Sequence, residues 1–90
     1  KMISKTMKIL NELGLHARAA AKVVSIANGF KSNITLKKDK KNADAKSIMK
    51  ILMLSASKGS SIEICIDGND QDDAMKAVVE IFKNGFDEGI

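Results

Sequence analysis

Gly14-Leu15-His16-Ala17-Arg18-Ala19-Ala20-Ala21-Lys22-Val23-Val24-Ser25-Ile26-Ala27-Asn28-Gly29 is the stretch from which the fold can be read. A loop over 11–15 ends at its start. From Ala17 to Ala27 the alanine-rich run forms helix readily, because alanine loses no side-chain entropy there. Val23, Val24 and Ile26 supply a buried side, and Asn28-Gly29 predicts a stop with glycine in the left-handed conformation of a helix cap. Upstream, 2–10 alternates, with Ile3, Met7 and Ile9 on one face, as a strand does. Downstream, Ile34 and Leu36 mark a second strand, the lysine-rich run 37–42 is expected to be a solvated turn, and 42–45 a short third strand. Ser47 is a favoured N-cap for a short helix carrying Ile48, Met49, Ile51, Leu52, Met53 and Leu54. After a turn around Gly59, Ile62, Ile64 and Ile66 alternate with Glu63, Cys65 and Asp67 in a half-buried strand. Gly68-Asn69-Asp70 turns into a last helix. Its first turn holds Asp70, Asp72 and Asp73, its stripe Ala74, Met75, Val78, Val79 and Phe82, and its stop is Gly85. The order βαββαβα, with strands apolar on one face only, predicts a two-layer α+β sandwich in a single domain over 1–90.

His16 is the only histidine. At a helix N-terminus it meets unpaired backbone N–H groups and the positive end of the helix dipole, both of which favour an anion. A neutral imidazole is a nucleophile, and a phosphoryl group bonded to it would lie where those donors point. The pattern reads as a phosphohistidine site. Arg18, two residues on, adds a planar guanidinium suited to two-pronged phosphate contact.

Charge and composition narrow the alternatives. Residues 1–50 carry 12 Lys/Arg against 3 Asp/Glu, and residues 51–90 carry 3 against 8, so a net charge of +4 hides a basic half that holds both His16 and Ser47. That half is expected to steer acidic protein partners. Nucleic acid is disfavoured, because three Phe and no Trp or Tyr offer few platforms for base stacking. No apolar run reaches the 18 residues of a membrane span, and 2–10 lacks a signal-peptide pattern. Cys65 is alone, so no internal disulfide forms, and a zinc site lacks ligands. A cytoplasmic protein without membrane insertion is expected.

Gly14-Leu15-His16-Ala17-Arg18 resembles the active-site signature of the HPr family, the histidine-containing phosphocarriers of the bacterial phosphotransferase system. Lys46-Ser47-Ile48-Met49 is similar to that family's regulatory serine segment, and the resemblance spans nearly the whole chain. It implies an open-faced sandwich, a four-stranded antiparallel sheet covered on one face by three helices. It further implies a monomeric carrier, not an enzyme and without cofactor or metal. Enzyme I, charged from phosphoenolpyruvate, would phosphorylate His16 at Nδ1, Arg18 would stabilise the group, and enzyme IIA domains would receive it for sugar uptake. Ala17, Ile48, Met49 and Leu52 are the expected docking residues, exposed methionine suiting a surface with several partners. Ser47 is the expected regulatory phosphoserine, which would add HPr kinase/phosphorylase and a transcription regulator as partners. Lys50 stands where kinase-regulated relatives often have glycine. Ala19 stands where the family has proline, so the helix is expected to persist while the loop is positioned differently. A nitrogen-branch paralogue would share the chemistry, and a purely regulatory paralogue would act by binding through the Ser47 region; retention of His16 and Arg18 argues against the latter. A hydrolase with His16 as base lacks a partner acid, metal or second catalytic group.

Overall fold

The alternating stretches pair into one sheet in the computed structural model, which describes residues 1–89. The strands are β1 (Ile3–Lys8), β2 (Asn33–Lys38), β3 (Lys41–Asp44) and β4 (Ser61–Asp67), side by side in the order β1-β4-β2-β3. Every neighbouring pair is antiparallel. The register sets Ile3 and Ile34 opposite Ile66, Met7 opposite Ile62 and Leu36 opposite Ile64, so the apolar side chains share one face. A slip of one residue would turn that face to water. Helices α1 (Ala17–Ala27), α2 (Ile48–Leu52) and α3 (Gln71–Lys83) cover it. Ala19, Ala20 and Val23 of α1, Ile51 of α2 and Ala74, Val78 and Phe82 of α3 join the strand isoleucines in one buried cluster. Cys65 is buried between its register partners Ser4 and Thr35, and burial, then Glu63, pushes its thiol up.

Three local details differ from the sequence reading. The lysine-rich run is a hairpin: Lys37 and Lys38 belong to β2, Lys41 and Asn42 to β3, and only Asp39 and Lys40 turn. Lys38 is not simply solvated, since its Nζ donates to the carbonyls of Leu54 (3.3 Å) and Ser55 (3.4 Å), just past α2, where helix carbonyls lack partners. Helix α2 stops at Leu52, which leaves Met53 exposed and Leu54 in the core. Gly29 does not take a left-handed cap. Instead the N–H groups of Gly29 and Phe30 reach back three residues to the carbonyls of Ile26 (3.0 Å) and Ala27 (3.1 Å), tightening the end of α1.

Gly85 does stop α3 with φ +63°, and a 3₁₀ turn (Gly85–Asp87) follows. Phe86 is buried there, edge-on to Phe82 with ring centroids 5.0 Å apart. That turn brings residue 88 back to the start of α1, where the candidate site lies.

Candidate functional site

His16 is the N-cap of α1, with extended backbone (φ −73°, ψ 178°), and its carbonyl accepts the first helical bond from the Ala20 N–H at 2.8 Å. The N–H groups of Ala17, Arg18 and Ala19 therefore have no intrahelical acceptor. The loop before it is held from below: Leu15 is buried and its N–H donates to the Ala56 carbonyl at 2.9 Å. Gly14 has φ +68°, and a Cβ there would lie 2.9 Å from Ser57 Cα and nearer still to the Ala56 oxygen. Only glycine lets the loop lie this close.

The ring of His16 is half-buried and hydrogen-bonds through Nε2 to Oε2 of Glu88. The other oxygen of Glu88 accepts from Asn11 Nδ2 at 2.8 Å, and the same amide nitrogen donates to the Gly14 carbonyl at 2.9 Å. Asn11 is fully buried. The Asn11 amide, then the His16 ring, hold the Glu88 carboxyl below the usual carboxylate range, against the opposing effect of burial. An ionised carboxylate only accepts, so the ring donates from Nε2, and a neutral ring then carries its lone pair on Nδ1.

Arg18 is exposed in the first turn of α1 and lines a cleft with Leu10, Leu13, Lys22, Lys58 and Glu88. Lys22 pairs with Asp87 at 3.4 Å and Lys58 with Glu12 at 3.0 Å. Exposed pairs of this kind contribute little and open readily to another anion. Glu88 thus borders both the His16 ring, to which it is hydrogen-bonded, and the cleft that Arg18 lines. Among the described residues no cluster of His, Cys, Asp and Glu could hold a metal ion.

Ser47 caps α2, its Oγ accepting from the Lys50 N–H at 3.2 Å. Ile48 (39% exposed), Met49 (69%) and Met53 (65%) form an apolar surface on α2, while Leu52 is half-buried against the core. Ala17 is exposed beside His16. No hydrogen bond among the described residues joins α2 to His16. Sequence reasoning missed Glu88 and Asn11. Glu88 lies 72 residues from His16 and carries no local signal, and Asn11 looks like any polar loop residue.

The family model described as "PTS HPr component phosphorylation site" matches residues 3–84. A Xylella fastidiosa protein named Phosphocarrier protein HPr is 45% identical over 87 residues, covering 97% of this chain and 98% of its own. The crystal structure of HPr-C-His from Thermoanaerobacter tengcongensis is similar with a TM-score of 0.93 at 40% identity, covering 98% of this chain and 99% of that one. A phosphocarrier protein HPr from Bacillus anthracis gives a TM-score of 0.85 at 38% identity, covering 90% and 96%.

Proposed function

The chain belongs to the HPr family of phosphocarrier proteins, and from that premise we propose that it carries a phosphoryl group on Nδ1 of His16, taken from enzyme I and passed to enzyme IIA domains in sugar uptake. The observation that carries this reading is the hydrogen bond from Nε2 to Glu88, which leaves Nδ1 as the free nucleophilic nitrogen at a helix N-terminus. On attack, the Nδ1 lone pair bonds phosphorus, and the bond to the donor atom breaks with its electron pair staying on the donor. The new dianion meets the first-turn N–H groups, the positive end of α1 and the Arg18 guanidinium. All three favour the phosphorylated state without making it inert.

In this reading Ala17 and the α2 surface of Ile48 and Met49, with Leu52 beneath, dock the partner proteins, and Met53 extends that surface. The basic half of the chain steers their acidic faces. The protein works as a monomer in the cytoplasm. Incubation with enzyme I and phosphoenolpyruvate, read by intact mass, tests the proposal. One phosphoryl group is expected, acid-labile and alkali-stable as a phosphoramidate is, and His16→Ala abolishes it. A full mass shift in that variant would overturn the carrier reading.

A further inference from the structure

We propose that Glu88 is a positioning residue for phosphoryl transfer, holding the proton on Nε2 of His16 from the neutral ring through to the phosphorylated one. This rests on His16 being the phosphoryl acceptor. The matched family segment ends at residue 84, so this role is not part of the signature that identifies the chain.

The backbone around Glu88 is built to place it. Phe86 and Asp87 have φ of 57° and 65°, a region that side-chain-bearing residues rarely occupy. Two consecutive residues of this kind persist only where the surroundings over-determine them. Here Phe86 is fully buried against Phe82, Asn84 Oδ1 accepts from the Asp87 N–H at 3.2 Å, and the Glu88 N–H donates to the Gly85 carbonyl at 3.0 Å. The side chain so delivered is then gripped by Asn11, whose amide also holds the loop that leads into His16. One carboxylate thereby joins the loop, the ring and the turn after α3.

The chemistry uses that arrangement without any proton transfer. A neutral ring with hydrogen on Nε2 attacks through Nδ1. When the donor bond breaks, the ring is left as an imidazolium carrying the phosphoryl group on Nδ1 and the same hydrogen on Nε2. Glu88 faces the new positive charge from the Nε2 edge, nearer to that charge than to the phosphoryl group on Nδ1, so its attraction to the ring outweighs its repulsion of the dianion. In the next transfer the Nδ1–phosphorus pair returns to the ring, which is again neutral with its hydrogen on Nε2. A carboxylate that orients an imidazole and steadies its cation serves hydrolytic triads in the same way.

The test compares the full-length parent with Glu88→Gln and Glu88→Ala. The readouts are the initial rate of phosphoryl acceptance from enzyme I with phosphoenolpyruvate, the Nε2–H proton resonance of His16, and the melting temperature. The parent shows a downfield, exchange-protected Nε2–H resonance. Glu88→Ala loses that resonance and accepts phosphate about tenfold or more slowly, the scale on which removing an orienting partner of a working histidine is felt. Glu88→Gln has one acceptor oxygen where both oxygens of Glu88 accept, so with that oxygen toward His16 it retains the resonance, gives up the bond from Asn11, and falls between the two in rate. Both variants melt below the parent, because each gives up the acceptor for the buried Asn11 amide. The rates are therefore compared well below all three melting temperatures, and the resonance, not the melt, reports the role. A parent that is phosphorylated while Glu88→Ala matches its rate, or a slowed Glu88→Ala that keeps the resonance, overturns the role of Glu88 alone. A parent that takes no phosphate overturns the carrier reading and this role with it.

Discussion

Arg18 illustrates how far a single side chain can be assigned. It is exposed, and no hydrogen bond or ion pair among the described residues engages it. A side chain with no part in the fold is free to serve a ligand. Arg18→Ala is therefore expected to slow transfer strongly while changing stability by less than about 0.5 kcal/mol, as exposed positions usually do. Arg18→Lys should restore the rate only in part, since an ammonium lacks the planar fork. Initial rates measured beside thermal melts decide it, and normal transfer with a large loss of stability would make the residue structural. The placement of His16 and Arg18 at the start of α1 was legible because a helix start is written in neighbouring residues. Glu88 and Asn11 were not, because a hydrogen bond spanning 72 residues exists only once the chain has folded.

Elements were legible in proportion to how locally they are determined. Helix α1 runs over Ala17–Ala27, the bounds its alanine run implies, and it forms although Ala19 stands where the family has proline. The hairpin of β2 and β3 was harder, because cross-strand pairing extends strands into a lysine run whose composition reads as turn. Helix α2 was read two residues too long, through Leu54, since its apolar residues serve both the core and the surface: Ile51 is buried while Met49 and Met53 face water. The Ser47 cap sits at the start of that surface. Ser47→Ala loses the bond to the Lys50 N–H, so about 1 kcal/mol of stability should go while phosphate is still accepted. Ser47→Asp keeps an acceptor at the N-cap and adds charge at the favourable end of the helix. Its melting temperature should stay within a few degrees of the parent, but the charge beside Ile48 and Met49 should raise the KM of enzyme I for this protein. Steady-state kinetics with enzyme I check this. An unchanged KM would move the docking face away from α2.

At the scale of the whole molecule, alternation and helical stripes were enough to predict a two-layer sandwich, but not the order β1-β4-β2-β3. Strand order depends on which distant segments meet, and resemblance to a family supplied the antiparallel pattern. The link between the start of β2 and the start of α3 was hidden in the same way. Asp70 reads in sequence as one of several charges favouring a helix N-terminus, yet its carboxylate makes no cap bond to α3. It accepts instead from the N–H groups of Lys31 (2.9 Å) and Ser32 (3.0 Å) and from the Ser32 hydroxyl. Gly68 leaves room for this, since a Cβ there would lie 2.6 Å from Ser32 Cα. The Ser32 hydroxyl, then the Lys31 N–H, hold the Asp70 carboxyl below its ordinary value. A carboxyl whose value is lowered by folding stabilises the fold in its charged form. That contribution is complete above the ordinary value of about 3.9 and is lost as pH falls through the lower folded value. Glu88, also lowered, acts in the same direction. The melting temperature of the parent should therefore drop between neutral pH and about pH 3, and that of Asp70→Asn should start lower and drop less. Self-repulsion among the cations grows in both chains as the other acids are neutralised, so the difference between the two curves isolates Asp70. Parallel curves from pH 7 down to about pH 3 would show that its hydrogen bonds do not depend on its charge.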